Sequence, residues 1–266
     1  MEMLKQVIAI VKRVAEKDVM PRFMQVGRQH KGDGSFYTEA DLAAQASLVK
    51  ELAALYPVVV MGEEMSQQEQ LKCWEEGSAG LWSIDPIDGT SNFYNGLPYF
   101  AISVALMQSG KSILGVIYNP VTKELFCAER GKGAFLNGIA LPIRKSAVSL
   151  QSAVANVDLK RLPRKLAAKI AATPPYASQR NYGACALEWC YTAAGYFDLY
   201  LHGGQKPWDY AAGSLILEEA RGHMCSFDQD DYWSEATWQR SVIAALDLGL
   251  FEQWRDWVRE QYLLLK

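Results

Sequence analysis

Apolar side chains at Leu4, Val7, Ile8, Val11, Val14 and Ala15 recur every three or four residues. That is the period of one helix face, so residues 1–20 are expected to form an amphipathic helix ending near Pro21. A second stripe through Leu42, Ala46, Val49 and Ala53 follows the turn-rich segment 31–35, with Thr38 as expected N-cap and Pro57 as limit. The β-branched run 58–61 reads as a buried strand that delivers Gly62, Glu63 and Glu64 at its end. Polar residues 66–78 suggest a surface helix or loop, 81–84 another strand, and 85–90 a turn containing proline and glycine. Segments 100–107, 113–118 and 124–128, separated by turn residues at Gly110 and Asn119-Pro120, predict an antiparallel meander. The segment 131–138 closes it through Asn137-Gly138, a pair suited to a type I′ turn.

Beyond Arg144 strands and helices alternate. Strands are expected at 153–157, 180–182, 197–201 and 242–246. Helices are expected at residues up to 171, at 184–194 before Gly195, at 208–220 before Arg221-Gly222, and at 251–264. The pattern predicts an α+β half over 1–143 and an α/β half over 144–266. No linker rich in Gly, Ser or Pro separates them, so one compact unit is expected.

Half of the residues are hydrophobic and a fifth are charged, which excludes a disordered chain. A net charge of -3 provides no basic field to collect nucleic acid, so none is expected as a partner. No apolar run approaches the roughly 20 residues of a membrane span. The first helix carries charges among its apolar residues and lacks a cleavage site, so it does not read as a signal peptide, and a cytoplasmic protein is expected. Five widely spaced cysteines without a CxxC pair predict free thiols, and three histidines at unrelated spacings do not support a zinc site.

Chemistry concentrates at Asp85-Pro86-Ile87-Asp88-Gly89-Thr90. Two carboxylates three residues apart, if they share one cleft, repel each other and need a cation. Oxygen donors without a His/Cys cluster favour a hard ion such as magnesium. Amides of Gly89 and Thr90 near a helix start would favour an anion, phosphate in particular. Alone, the string reads equally well as a common turn, Glu63-Glu64 as a solvated pair, and Thr38 with Asp41 as a helix cap.

Three motifs taken in order change that balance: Gly62-Glu63-Glu64, the stretch 82–93 (WSIDPIDGTSNF), and Pro207-Trp208-Asp209-Tyr210-Ala211-Ala212-Gly213. Together they resemble the signature motifs of the inositol monophosphatase family. The likeness takes in Lys31, Thr38 to Asp41, the 131–138 hairpin and Gly183-Ala184-Cys185-Ala186, and so covers nearly the whole chain. The resemblance implies an α/β (α+β) layered sandwich, of the inositol monophosphatase/fructose-1,6-bisphosphatase kind, usually a homodimer and lithium-sensitive. It implies a phosphoric monoester hydrolase using two or three Mg2+ ions. Glu63, Asp85 and the Ile87 carbonyl would bind one ion, and Asp85, Asp88 and Asp209 a second. Glu64 would order a metal-bound water, Lys31 would lie near outer metal waters, and Thr90 paired with Asp41 would lie beside the attacking water. Asp88, Gly89, Thr90 and Ser91 would contact the substrate on the phosphate side, and Gly183, Ala184, Cys185 and His202 on the alcohol side.

His202 is a departure, because inositol phosphatases commonly carry a glutamate at that place. A neutral histidine can pair with a hydroxyl, a protonated one favours a second phosphate, and the residue can also simply pack at a strand end. Ser91 and Asn92 after Asp-Gly-Thr, and Lys206 before Pro207, resemble bacterial inositol monophosphatases, so inositol monophosphate is the expected substrate. Fructose 1,6-bisphosphate, histidinol phosphate and 3′-phosphoadenosine 5′-phosphate are the alternatives within the superfamily. A non-catalytic partner protein is the alternative outside it.

Overall fold

Two mixed β-sheets with a pair of helices between them organise the chain, and the computed structural model describes residues 2–27, 29–30, 36–234 and 237–265. Helix α1 (Glu2–Val14) runs on through a π-helical turn to Val19, close to the expected stop at Pro21. A two-strand ribbon, β1 (Gln29–His30) and β2 (Phe36–Tyr37), precedes α2 (Glu39–Leu55). Then come β3 (Val59–Gly62), α3 (Gln67–Glu76), β4 (Leu81–Asp88), α4 (Thr90–Asn95), β5 (Ala101–Gln108), β6 (Lys111–Asn119), β7 (Glu124–Glu129), β8 (Ala134–Leu136) and β9 (Ile139–Ala140). Strands β3 to β9 form one sheet in sequence order, antiparallel except for the parallel β3–β4 pair.

The rest comprises β10 (Val154–Val157), α5 (Arg164–Ala172), β11 (Ser178–Arg180), α6 (Cys185–Ala194), β12 (Leu199–Gln205), α7 (Pro207–Glu219), β13 (His223–Cys225), β14 (Arg240–Ala245) and α8 (Leu248–Leu265). The second sheet has the order β11-β10-β12-β14-β13. Strand β13 has no counterpart in the sequence reading: its three residues directly after Gly222 are too few to show a period.

Each element is placed by its apolar face. Helices α1 and α2 pack Val7, Val11, Val14, Ala44 and Leu48 against Ile84, Val104 and Val116 on the outer side of the first sheet. The inner side, with Ala101, Ala105 and Ile117, meets Leu187, Trp189, Leu215 and Ile216 of α6 and α7, which also reach Tyr200 and Val242 of the second sheet. Helices α5 and α8 cover the far face through Leu166, Ile170, Trp254 and Val258. Such a layered stack buries α6 and α7 nearly all round, so their sequences read as almost continuously apolar. Two glycines permit the close approach. A Cβ on Gly213 of α7 would lie 2.4 Å from Trp189 Cβ of α6, and one on Gly115 of β6 would lie 2.9 Å from the Ala212 carbonyl oxygen.

The expected turn at 85–90 is corrected. β4 runs on through Asp88, pairing Asp85 with Ser103 and Asp88 with Ala101. Three steps on β4 therefore answer two on β5, a one-residue bulge that holds Pro86, whose missing N–H cannot serve a regular ladder. The bulge matters chemically. Residues three apart on a regular strand face opposite sides, whereas here both acids follow Ala101 and Ser103, two apart and on one side. That side faces α7, whose Trp208 carbonyl accepts from Ser103 Oγ at 3.2 Å.

Candidate active site

Four carboxylates from three separate stretches meet at the inner face of the first sheet. Glu63 follows β3, where the backbone is pinned from two helices: Gln45 Oε1 of α2 accepts from the Glu64 amide at 2.9 Å. Gln70 Nε2 of α3 donates to the Gly62 carbonyl at 3.3 Å and to the Glu63 carbonyl at 2.9 Å. Asp85 and Asp88 come from the bulged end of β4, both buried. Asp209 lies in the first turn of α7, after Pro207, and its Oδ2 accepts from the Lys206 amide at 2.8 Å. Carboxylate oxygens of Asp88 and Asp209 and the Cys185 thiol sulfur all lie within 4.8 Å of one another.

The electrostatics are those of like charges crowded out of water. Burial, then the charges of Glu63 and Asp88 and the proximity of the Glu63 carboxylate, hold Asp85 well above the usual carboxylate range. Burial and Asp209 do the same to Asp88, against the opposing effect of the Ala186 amide. Asp209 is pushed up to about 7 by burial and Glu63, opposed by the Lys206 amide and the charges of Arg161 and Lys206. A hard divalent cation fits this set: it supplies the opposite charge the acids lack, and the donors are carboxylate and carbonyl oxygens.

Beside the acids, Thr90 Oγ1 donates toward Asp41 Oδ1 at 3.4 Å and the Ile87 carbonyl at 3.2 Å. The other oxygen of Asp41 accepts from the Thr38 amide at 2.7 Å and the Thr38 hydroxyl at 2.6 Å. The capping pair and the Thr90 pair thus coexist, one on each carboxylate oxygen. Gly89 adopts φ +93°, a left-handed conformation suited to glycine, and turns the chain from β4 into α4, where Thr90 and Ser91 begin the helix.

The second half contributes the start of α6. Asp88 Oδ1 accepts from the Cys185 amide at 3.2 Å and Oδ2 from the Ala186 amide at 2.7 Å, so Asp88 caps α6 from a distant strand. Ala184 is buried, and the Gly183 amide donates to Glu188 Oε1 at 3.1 Å, so the amides of Gly183, Cys185 and Ala186 all have protein acceptors.

His202, expected either on the alcohol side or packed at a strand end, is buried in β12. It is 2% exposed, its Nδ1 accepts from the Gly204 amide at 3.1 Å, and its Nε2 lies 3.7 Å from Asp158 Oδ2. Burial lowers its pKa to about 4 against the opposing pull of Asp158, so the ring is neutral at pH 7 and packed at the strand end. Lys31 lies outside the described residues. Sequence reasoning missed Gln45, Gln70, Asn92 and Glu188. Their legible traces are Asn92, which lies within the 82–93 motif, and Glu188, a carboxylate in the otherwise apolar α6.

A phosphatase fold and site of this kind are matched by known proteins. The family model described as "Inositol monophosphatase family" matches residues 1–257. A Nus factor SuhB of Haemophilus influenzae is 36% identical over 74% of each chain. An inositol-1-monophosphatase of Caulobacter vibrioides is 32% identical over 81% of this chain and 84% of the relative. Among solved structures, a Thermotoga maritima IMPase superposes with TM-score 0.85 at 30% identity, covering 100% of both chains. An IMPase/NADP phosphatase complexed with Mg2+ and phosphate gives 0.80 at 25% identity, covering 95% of this chain and 93% of that one. The chain belongs to the inositol monophosphatase family, and it is a phosphatase. Among the described residues, no helix is long and apolar enough to cross a membrane.

Proposed function

We propose that the protein is a magnesium-dependent phosphomonoesterase of a small phosphorylated alcohol, with inositol monophosphate as the foremost substrate. The observation that carries this reading is the convergence of Glu63, Asp85, Asp88 and Asp209, in which Glu63, Asp88 and Asp209 each raise a neighbouring acid's proton affinity. A solved relative that holds Mg2+ and phosphate supports it. Glu63, Asp85 and the Ile87 carbonyl would hold one ion, and Asp85, Asp88 and Asp209 a second, with Asp85 shared. Bound magnesium lowers the pKa of an attached water and neutralises charge that develops on phosphoryl and leaving oxygens.

The chain's own groups orient the reactants. Because the Thr90 hydroxyl donates toward Asp41 and the Ile87 carbonyl, its lone pairs are left to accept a hydrogen bond from the attacking water, whose own lone pair would then point at phosphorus. Glu64 would order a second water, and the backbone at Gly89, Thr90 and Ser91 would face the phosphate. Cys185 would border the alcohol side; His202 is left out because its ring is buried and its Nδ1 already accepts from the Gly204 amide. A homodimer in the cytosol completes the reading.

Phosphate release from inositol 1-phosphate, fructose 1,6-bisphosphate, histidinol phosphate and 3′-phosphoadenosine 5′-phosphate, with magnesium and with EDTA, tests it. The Haemophilus relative's name, Nus factor, favours a second reading, in which the chain also serves as a partner protein. Asp209→Asn separates the two: it abolishes turnover and leaves a partner function intact.

A further inference from the structure

One peptide unit beside the site is gripped at both of its polar ends. Asn92 Nδ2 donates to the Tyr182 carbonyl at 2.6 Å and to the Tyr99 carbonyl at 2.7 Å. The N–H of the same Tyr182–Gly183 peptide donates to Glu188 Oε1 at 3.1 Å. Two carbonyl acceptors require the two N–H bonds of a single amide group, which a carboxylate or an alkyl side chain cannot supply. Asn92 is 8% exposed and Glu188 1%, so neither has bulk water to turn to.

The grip lies one residue from the start of α6. Gly183 takes φ +74°, Ala184 is the N-cap, and the next two amides, of Cys185 and Ala186, hold the two oxygens of Asp88. With a single intervening residue, rotation of the 182–183 peptide passes into the first turn of α6 and so into the Asp88 carboxylate. Asn92 belongs to α4 and Glu188 to α6, so the clamp joins the first half to the second at the site itself.

We propose that Asn92 and Glu188 are positioning residues: by fixing the Tyr182–Gly183 peptide from both sides they set the α6 N-terminus that aims Asp88 at its metal. This rests on the reading of Asp88 as a ligand. The clamp binds no substrate and acts only through Asp88.

The test is direct Mn2+ binding, followed by the paramagnetic resonance signal of the free ion, on wild type, Asn92→Ala, Glu188→Ala and Glu188→Gln, with melting temperatures taken in EDTA. Glutamine keeps an oxygen to accept from Gly183. Asn92→Ala and Glu188→Ala are expected to weaken Mn2+ binding about tenfold, the effect of about one net hydrogen bond, and Glu188→Gln to restore most of it. The double alanine variant is expected to lose little more than either single one, since a peptide released at one end is already free. Wild-type binding in both alanine variants, with only lower melting temperatures, would overturn the proposal and reduce the pair to structural supports. Failure of the wild type itself to bind Mn2+ would overturn the ligand reading beneath it. Asn92→Ala decides alone if Glu188→Ala does not fold.

Discussion

Thr90 Oγ1 and Asp41 Oδ1 meet at 3.4 Å across 49 residues of sequence, while Asp41 Oδ2 is held by Thr38 at the start of α2. One carboxylate thus joins a helix cap to the group beside the expected water. The two duties can be separated. Thr38→Ala removes the cap hydroxyl and is expected to cost about 0.5–2 kcal/mol of stability with little change in kcat. Asp41→Asn is expected to lower kcat by about 10²–10⁴ while the fold persists. Steady-state rates beside melting curves check both.

The crowded acids should make the metal-free protein sensitive to rising pH. Asp209 has its pKa raised to about 7 in the folded state against an ordinary 3.8, so between those values the folded form binds more protons than the unfolded one. Stability in EDTA is therefore lost as pH rises from about 4 through 7. Asp209→Asn removes that ionisation and is expected to melt a few degrees higher than wild type at pH 8 in EDTA, yet show no turnover in magnesium. A lower melting temperature in EDTA would contradict the repulsion described.

His202 gives the opposite sign. Its folded pKa of about 4 lies below the ordinary 6.5, so its contribution is present above 6.5 and lost as pH falls toward 4, by at most about 3 kcal/mol. His202→Gln should flatten the melting curve's pH dependence over that window. Since the ring is buried and its Nδ1 is taken by the Gly204 amide, KM should stay within about twofold of wild type at pH 7.5, where both side chains are neutral.

Gly213 tests how closely α7 must approach α6. A Cβ there would lie 2.4 Å from Trp189 Cβ, so Gly213→Ala forces the helices apart. The expected loss is about 1–3 kcal/mol by thermal or urea unfolding. A rise in the magnesium concentration needed for half-maximal rate should accompany it, because Asp209 rides on the first turn of α7.

Much of this architecture was legible in the sequence because it is local. The stripe of Val7, Val11 and Val14, the cap at Thr38 and the Asn137-Gly138 turn, with φ +50° and +83°, depend on neighbours within a few residues. The four acids were legible as motifs, and the resemblance supplied their common purpose. The bulge between Asp85 and Asp88 was not, since it exists only against the register of β5. Asn92 was equally hidden: its partner is a backbone carbonyl 90 residues away, and no side-chain pattern marks a carbonyl. The surroundings of His202 were hidden for the same reason, because they come from Asp158 and a bulge in β12.

The most direct test of the central claim is phosphate release from inositol 1-phosphate at millimolar magnesium, repeated in EDTA and with Asp85→Asn. With Asp85 as the proposed shared ligand, the account predicts steady release with magnesium, none in EDTA, and a loss of at least about a thousandfold in the variant. Release that persists in EDTA, or that survives Asp85→Asn undiminished, would contradict it.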